Sequence, residues 1–296
     1  MNPMHRLILA AGLALAAAFP AAFAAAPTPA AVVEGVQMPA WVERSDGRKA
    51  PLAPGMALGA GEKVLTGNNA RLLLKLSEGS LVKLGENGQL KIDELKPDEG
   101  GVFKAALKIA EGAFRFTTDV LMKHRRRSVN ITVATVTTGI RGTDLWGKST
   151  ANDRQVVCLI EGSIEVAAEG EKPVTLDQPR QFYQRNQGET APVGYVDAQL
   201  LGQWALETEI AAGRGAARAG GKWKVTLVSA DTQEGALAVY EQVRANGYAA
   251  EIHPARAGEK RIYNVRIGHL PSKAEAEALA AQLKGTMGVT DPKVST

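Results

Sequence analysis

Side chains able to do chemistry are few and scattered along this chain. Apart from His5 near the amino terminus, the histidines are His124, His253 and His269. None forms an HExxH pair or sits in a cluster with metal-ligand spacing, so neither a metal nor another cofactor is expected. Among the Glu-Gly steps, those at Glu78-Gly79-Ser80, Glu111-Gly112-Ala113 and Glu161-Gly162-Ser163 have apolar runs on both sides, two of them followed by serine. A serine nucleophile would need a strand-to-helix elbow and a partnered base, whereas apolar residues on both sides read as strands, so the steps are turn chemistry. The chain is therefore not expected to be an enzyme. Arg141-Gly142-Thr143-Asp144 is a second constellation: Gly142 permits a turn across which Arg141 and Asp144 can pair, a structural signature rather than a ligand contact. The basic run at 123–127 lies between strand-like segments and predicts an exposed loop, in which Arg125, Arg126 and Arg127 form a possible interaction surface for carboxylates or phosphate polymers.

The elements that position these residues begin after a leader. Arg6 precedes the apolar run 7–19, and small residues follow it. The run is shorter than the roughly 20 residues of a spanning helix, and Ala22-Phe23-Ala24 fits a signal peptidase site, so cleavage after Ala24 and export are expected. No later run is long and apolar enough to span a bilayer, so no membrane span is expected after cleavage. With the single cysteine Cys158 no internal disulfide can form, and its apolar neighbours make it a small buried hydrophobe. The net charge of +4 suits an anionic surface but is weak evidence for nucleic acid, which an exported protein rarely meets.

From 32 to 190 the sequence alternates in short runs: Ala70, Leu72, Leu74 and Leu76 share one parity, as do Val129, Ile131 and Val133. Half-buried strands joined at the three Glu-Gly steps as hairpins predict an all-β sandwich or jelly roll. The segments GEKVLTGNNARLLLKLSEGSLVKLGENGQLKI, VATVTTGIRGTDL and VVCLIEGSIEV resemble, in order, the FecR-type periplasmic domain. Members best known for that domain are anti-sigma regulators with a cytoplasmic helix bundle and a membrane span. This chain has neither, so the resemblance implies a periplasmic β module for protein interaction.

Residues 194–212 predict an amphipathic helix carrying Val196, Leu200, Leu201, Trp204 and Ile210. The following GRGAARAGG reads as a flexible linker to 221 that leaves its two flanks independent. Beyond it the rhythm changes: strands are predicted at 223–229, 248–255, 261–268 and 289–294, and helices at 232–245 and 272–283, the second with Ser272 and Glu275 as a capping box. The order βαββαβ predicts a four-stranded antiparallel sheet, ferredoxin- or RNP-like, with both helices on one face. By parity Val225, Leu227, Ile252, Val265 and Ile267 face the helices; Thr226, Val228, Glu251, His253, Asn264 and Arg266 face solvent. Polar groups on an open sheet suit an extended sugar polymer.

WKVTLVS, the ANGY step and IYNVRIGHLPSKAEAEALAAQLK resemble a SPOR domain, the sporulation-related repeat. The resemblance implies binding to peptidoglycan glycan strands stripped of their stem peptides, at the division site. Thr226, Val228 and Asn264 stand where Gln, Gly and Arg are usual, which makes Arg266 the leading sugar contact, supported by Asn264, Thr226, His253 and Glu251. RNA is disfavoured because the central strands lack the aromatic pair that stacks bases. Two readings follow: a periplasmic, non-enzymatic glycan binder that presents a FecR-like module to a periplasmic protein, or a FecR-like scaffold whose C-terminal domain docks a protein.

Overall fold

The computed structural model describes residues 29–96, 102–119, 126–140 and 142–296. The leader, Arg125 and Arg141 lie outside the described residues. Among the described residues no helix is long and apolar enough to cross a membrane. The described residues are mostly strand, with three helices and a second, smaller sheet near the C-terminus.

The N-terminal unit opens with β1 (Ala31–Gln37), β2 (Ala40–Glu43), β3 (Lys49–Pro51), β4 (Ala57–Leu58), β5 (Lys63–Thr66) and β6 (Arg71–Leu76). It continues with β7 (Leu81–Leu84), β8 (Gln89–Lys96), β9 (Val102–Thr117), β10 (Arg126–Val133), β11 (Val136–Ile140) and β12 (Asp144–Thr150). β13 (Arg154–Glu161), β14 (Ile164–Ala168), β15 (Val174–Leu176), β16 (Gln181–Asn186), β17 (Glu189–Thr190) and β18 (Gly194–Tyr195) complete it. One sheet contains β1, β6, β7, β12, β13 and β16; the other contains β2, β5, β8, β10, β11 and β14. Their inward residues share one core: Leu72, Leu74 and Phe116 from the first pack in the same cluster as Val64, Leu90, Ile109 and Ile131 from the second.

Three Glu-Gly steps were expected to be hairpins, and one is. At Gly79, φ +102, β6 turns back on β7 and Leu72 stands opposite Leu84. At Gly112, φ +90, the chain does not turn back. β9 runs straight through, pairing with β8 and β10 up to Glu111 and with β7 and β12 beyond it. Gly162, φ +94, also marks a corner, where the chain leaves β13 in the first sheet and enters β14 in the second. Such corners let one strand serve two sheets, and their crowding requires glycine. A Cβ on Gly112 would lie 2.6 Å from the Cα of Gly88, and one on Gly162 would lie 2.7 Å from Thr143 Cγ2.

The predicted helix 194–212 is shorter, α1 (Ala198–Leu206), started by Asp197, whose carboxylate accepts from the N–H groups of Gln199 and Leu200. Trp204 on α1 stacks on Trp146 of β12 with centroids 4.8 Å apart, and Phe182 meets it edge-on.

The Gly-rich stretch expected as a flexible linker is packed. Ala217–Arg218 forms β19 against β1, and Ala216 and Ala217 are buried. The physical reason lies on the next helix but one. Glu275 accepts the N–H groups of Gly213 (2.6 Å), Gly215 (2.7 Å) and Ala216 (3.0 Å), so the backbone itself supplies donors to a buried carboxylate. Small residues permit that approach: a Cβ on Gly215 would meet Leu279 at 3.0 Å.

The C-terminal unit follows as β20 (Trp223–Ala230), α2 (Gln233–Ala245), β21 (Glu251–Ala257), β22 (Lys260–Leu270), α3 (Lys273–Leu283) and β23 (Lys293–Ser295). Its sheet order is β21-β22-β20-β23, antiparallel throughout. Ser272 caps α3 as its position predicts, and Thr232, expected as the first helical residue, caps α2. The capping box is incomplete, because Ser272 accepts from the Glu275 N–H while the Glu275 carboxylate is engaged by the linker instead. The two units also touch directly: Trp41 Nε1 donates to Ala245 O at 3.2 Å, and Gly247 lies against the Trp41 ring.

Candidate functional site: the open face of the C-terminal sheet

Helices α2 and α3 cover one side of the small sheet. Ala236 and Val243 of α2, with Ala276, Leu279 and Leu283 of α3, share a core with Val225, Leu227, Val265 and Ile267. Ile252 is half-buried on the same core. The linker and the N-terminal unit reach the C-terminal unit through α2, α3, the α2–β21 turn and the end of β22, which leaves the other side of the sheet uncovered among the described residues.

On that open side the register aligns side chains that are far apart in sequence. Glu251 of β21 stands opposite Arg266 of β22, Arg266 opposite Thr226 of β20, and Thr226 opposite Lys293 of β23. With strands about 4.8 Å apart, the row runs roughly 14 Å across the sheet. The next row holds His253, Asn264 and Ser229. Ser229 donates its hydroxyl to Asn264 Oδ1 at 2.6 Å. Glu251, His253 and Lys293 are exposed; Thr226, Asn264 and Arg266 are half-buried, as side chains lying along a sheet should be. The first row presents carboxylate acceptors, a guanidinium fork, a hydroxyl and an ammonium, a set able to hydrogen-bond sugar hydroxyl and acetamido groups.

Alternation had placed Val228 on this face, and the structure removes it. β20 carries a bulge between Thr226 and Val228. The extra residue shifts parity, so Val228 stands opposite buried Val265 and packs on the core, and Ser229 takes the outward place beside Asn264. Sequence reasoning missed Ser229 for that reason. Lys293 was missed because the last strand is short and its register is set only by pairing with β20.

The other residues singled out from sequence lie elsewhere. Arg126 is exposed at the start of β10, and Arg127 is half-buried with Ser80 Oγ 3.4 Å from its guanidinium. Gly142, φ +71, and buried Thr143 form the corner from β11 to β12, next to Gly162. Asp144, expected to pair with Arg141 across the turn, is held by Arg115 through bonds of 2.9 and 2.6 Å. Those hydrogen bonds hold the Arg115 guanidinium above its usual pKa. Arg115 and Lys83 both reach Glu209 beyond α1, so Asp144 takes part in anchoring the start of the linker. Cys158 is fully buried, and burial pushes its thiol up to about 12.

The small sheet is thus backed by helices on one side and polar on the other, a surface rather than a pocket. The SPOR domain model matches residues 219–294, and the FecR protein model matches 62–165. The chain thus carries a FecR domain followed by a C-terminal SPOR domain, as the sequence motifs indicated. These are binding or regulatory domains rather than catalytic ones. No curated protein matches the chain. Two crystal structures of a candidate anti-sigma factor from Parabacteroides distasonis ATCC 8503 are similar at 13% and 16% identity, each with a TM-score of 0.40. They cover 68% and 74% of this chain, and 98% and 89% of their own.

Proposed function

We propose that this protein is exported to the periplasm and binds peptidoglycan glycan strands freed of their stem peptides through the open face of its SPOR domain, at the division site. The FecR domain then serves as the regulatory or interaction module carried to that place. The SPOR match over a sheet whose polar side is uncovered carries this reading. Arg266 stands in the middle of the first row and Asn264 in the middle of the second, so an extended strand laid along the face meets both.

Co-sedimentation with purified sacculi tests it, comparing amidase-treated material with intact material. Arg266→Ala with Asn264→Ala removes one charged and one neutral hydrogen-bonding group, and a loss of roughly 10- to 100-fold in affinity is expected. Retention that is unchanged in the double variant, or no better on treated sacculi than on intact ones, would sink the glycan reading. A periplasm-competent fluorescent fusion that fails to gather at septa would remove the division-site part alone.

A further inference from the structure

The outward side of the second N-terminal sheet carries a pattern that the glycan reading does not use. Lys63 of β5 stands directly opposite Lys91 of β8, and Lys91 directly opposite Lys108 of β9. Two rows further along, Lys96 of β8 stands opposite Lys104 of β9. All five point away from the core, because their neighbours Val64, Leu90, Leu95, Ala105, Leu107 and Ile109 are buried. Like charges facing each other across a strand pair destabilise a sheet. Acidic neighbours relieve only part of this. Asp93 pairs with Lys91 at 2.6 Å and Glu94 with Lys96 at 3.1 Å, and Glu43 of β2 stands opposite Lys63 on its other side, while Lys63, Lys104 and Lys108 form no ion pair among the described residues.

We propose that these lysine rows are a landing surface for an anionic lipid bilayer. The chemistry of the face selects that occupant. Lysine is a flexible, hydrated point charge suited to a diffuse array of headgroups, whereas a defined phosphate site favours the arginine fork. A protein partner would bring an apolar or aromatic centre to the interface. Between the lysine rows the outward residue of β9 is only Ala106, and the nearest outward aromatic, Trp41, is covered by the C-terminal unit. Arg126, exposed at the start of β10, extends the same charge past Lys104.

The test is flotation of the full chain with vesicles of phosphatidylglycerol and phosphatidylcholine in equal parts, against phosphatidylcholine alone. Wild type should bind the anionic vesicles at low salt and release them as the Debye length falls from about 10 Å at 0.1 M to about 3 Å at 1 M. Lys63→Gln, Lys104→Gln and Lys108→Gln together break no ion pair, and should weaken binding roughly 100-fold, about five-fold per lysine. Their melting temperature should stay or rise, since like-charge contacts are removed. The Arg266→Ala, Asn264→Ala variant should float like wild type, which separates this proposal from the glycan reading. The proposal is overturned by absent binding to anionic vesicles, by equal binding to neutral ones, by undiminished binding of the triple variant, or by a lowered melting temperature that makes the lysines structural.

Discussion

Two outward sheet faces in one chain use the same pleat to different ends. In the C-terminal sheet a single row runs Glu251, Arg266, Thr226, Lys293, so acceptors and donors of both signs lie within reach of one ligand. In the N-terminal sheet the row runs Glu43, Lys63, Lys91, Lys108, so one charge dominates it. A mixed row can match the hydrogen-bonding groups of a particular polymer in a particular orientation, and salt weakens it little. A row dominated by one charge acts mainly through its field and is weakened by salt. The supports differ as well. The lysine face is held by strands that turn corners between two sheets, and the mixed face by two capped helices and a buried carboxylate that clasps the linker.

The largest effect should come from the corners. Alanine at Gly162 meets both a positive φ and a contact below van der Waals distance with Thr143, so a loss of about 3 kcal/mol is expected, against about 1–2 for alanine at the Gly79 hairpin. Chemical denaturation of the two variants reads the difference directly, and equal losses would remove the distinction between corner and hairpin.

On the other side of the comparison, Glu275→Gln replaces a buried carboxylate that accepts three backbone donors. About 2 kcal/mol of stability should disappear, with faster proteolysis after Arg214, while the folded fraction retains its grip on sacculi. An unaltered cleavage rate would mean that the linker is held by something else.

Cys158 gives the smallest effect and concerns only the N-terminal unit. Its folded pKa of about 12 lies above the ordinary 9.0, so the stability it contributes is complete below pH 9 and declines as the unfolded chain ionises above it. Relative to Cys158→Ala, wild type should lose roughly 1–2 kcal/mol more between pH 8.5 and pH 10.5. Parallel pH profiles for the two proteins would contradict the burial argument.

Legibility in the sequence followed the range of the interactions involved. The cap at Ser272, the buried parity of Val225, Leu227, Val265 and Ile267, and the alternation at Leu72, Leu74 and Leu76 are set within a few residues, and all were readable. Arg266, Asn264, Thr226, Glu251 and His253 were placed on the open face for the same reason. Val228 was misplaced, because a one-residue bulge leaves no mark in an alternating string and reverses every position beyond it.

What the amino-acid order determined alone was therefore local: which segments extend, which coil, where helices start, and which domain families the motifs resemble. Tertiary structure decided that two of three similar glycine steps are corners, that Glu275 holds the linker, that Asp144 pairs with Arg115, and that lysines from three separated strands share a row. Each of those depends on the register between segments distant along the chain, and register is fixed only when the whole core closes over its apolar side chains.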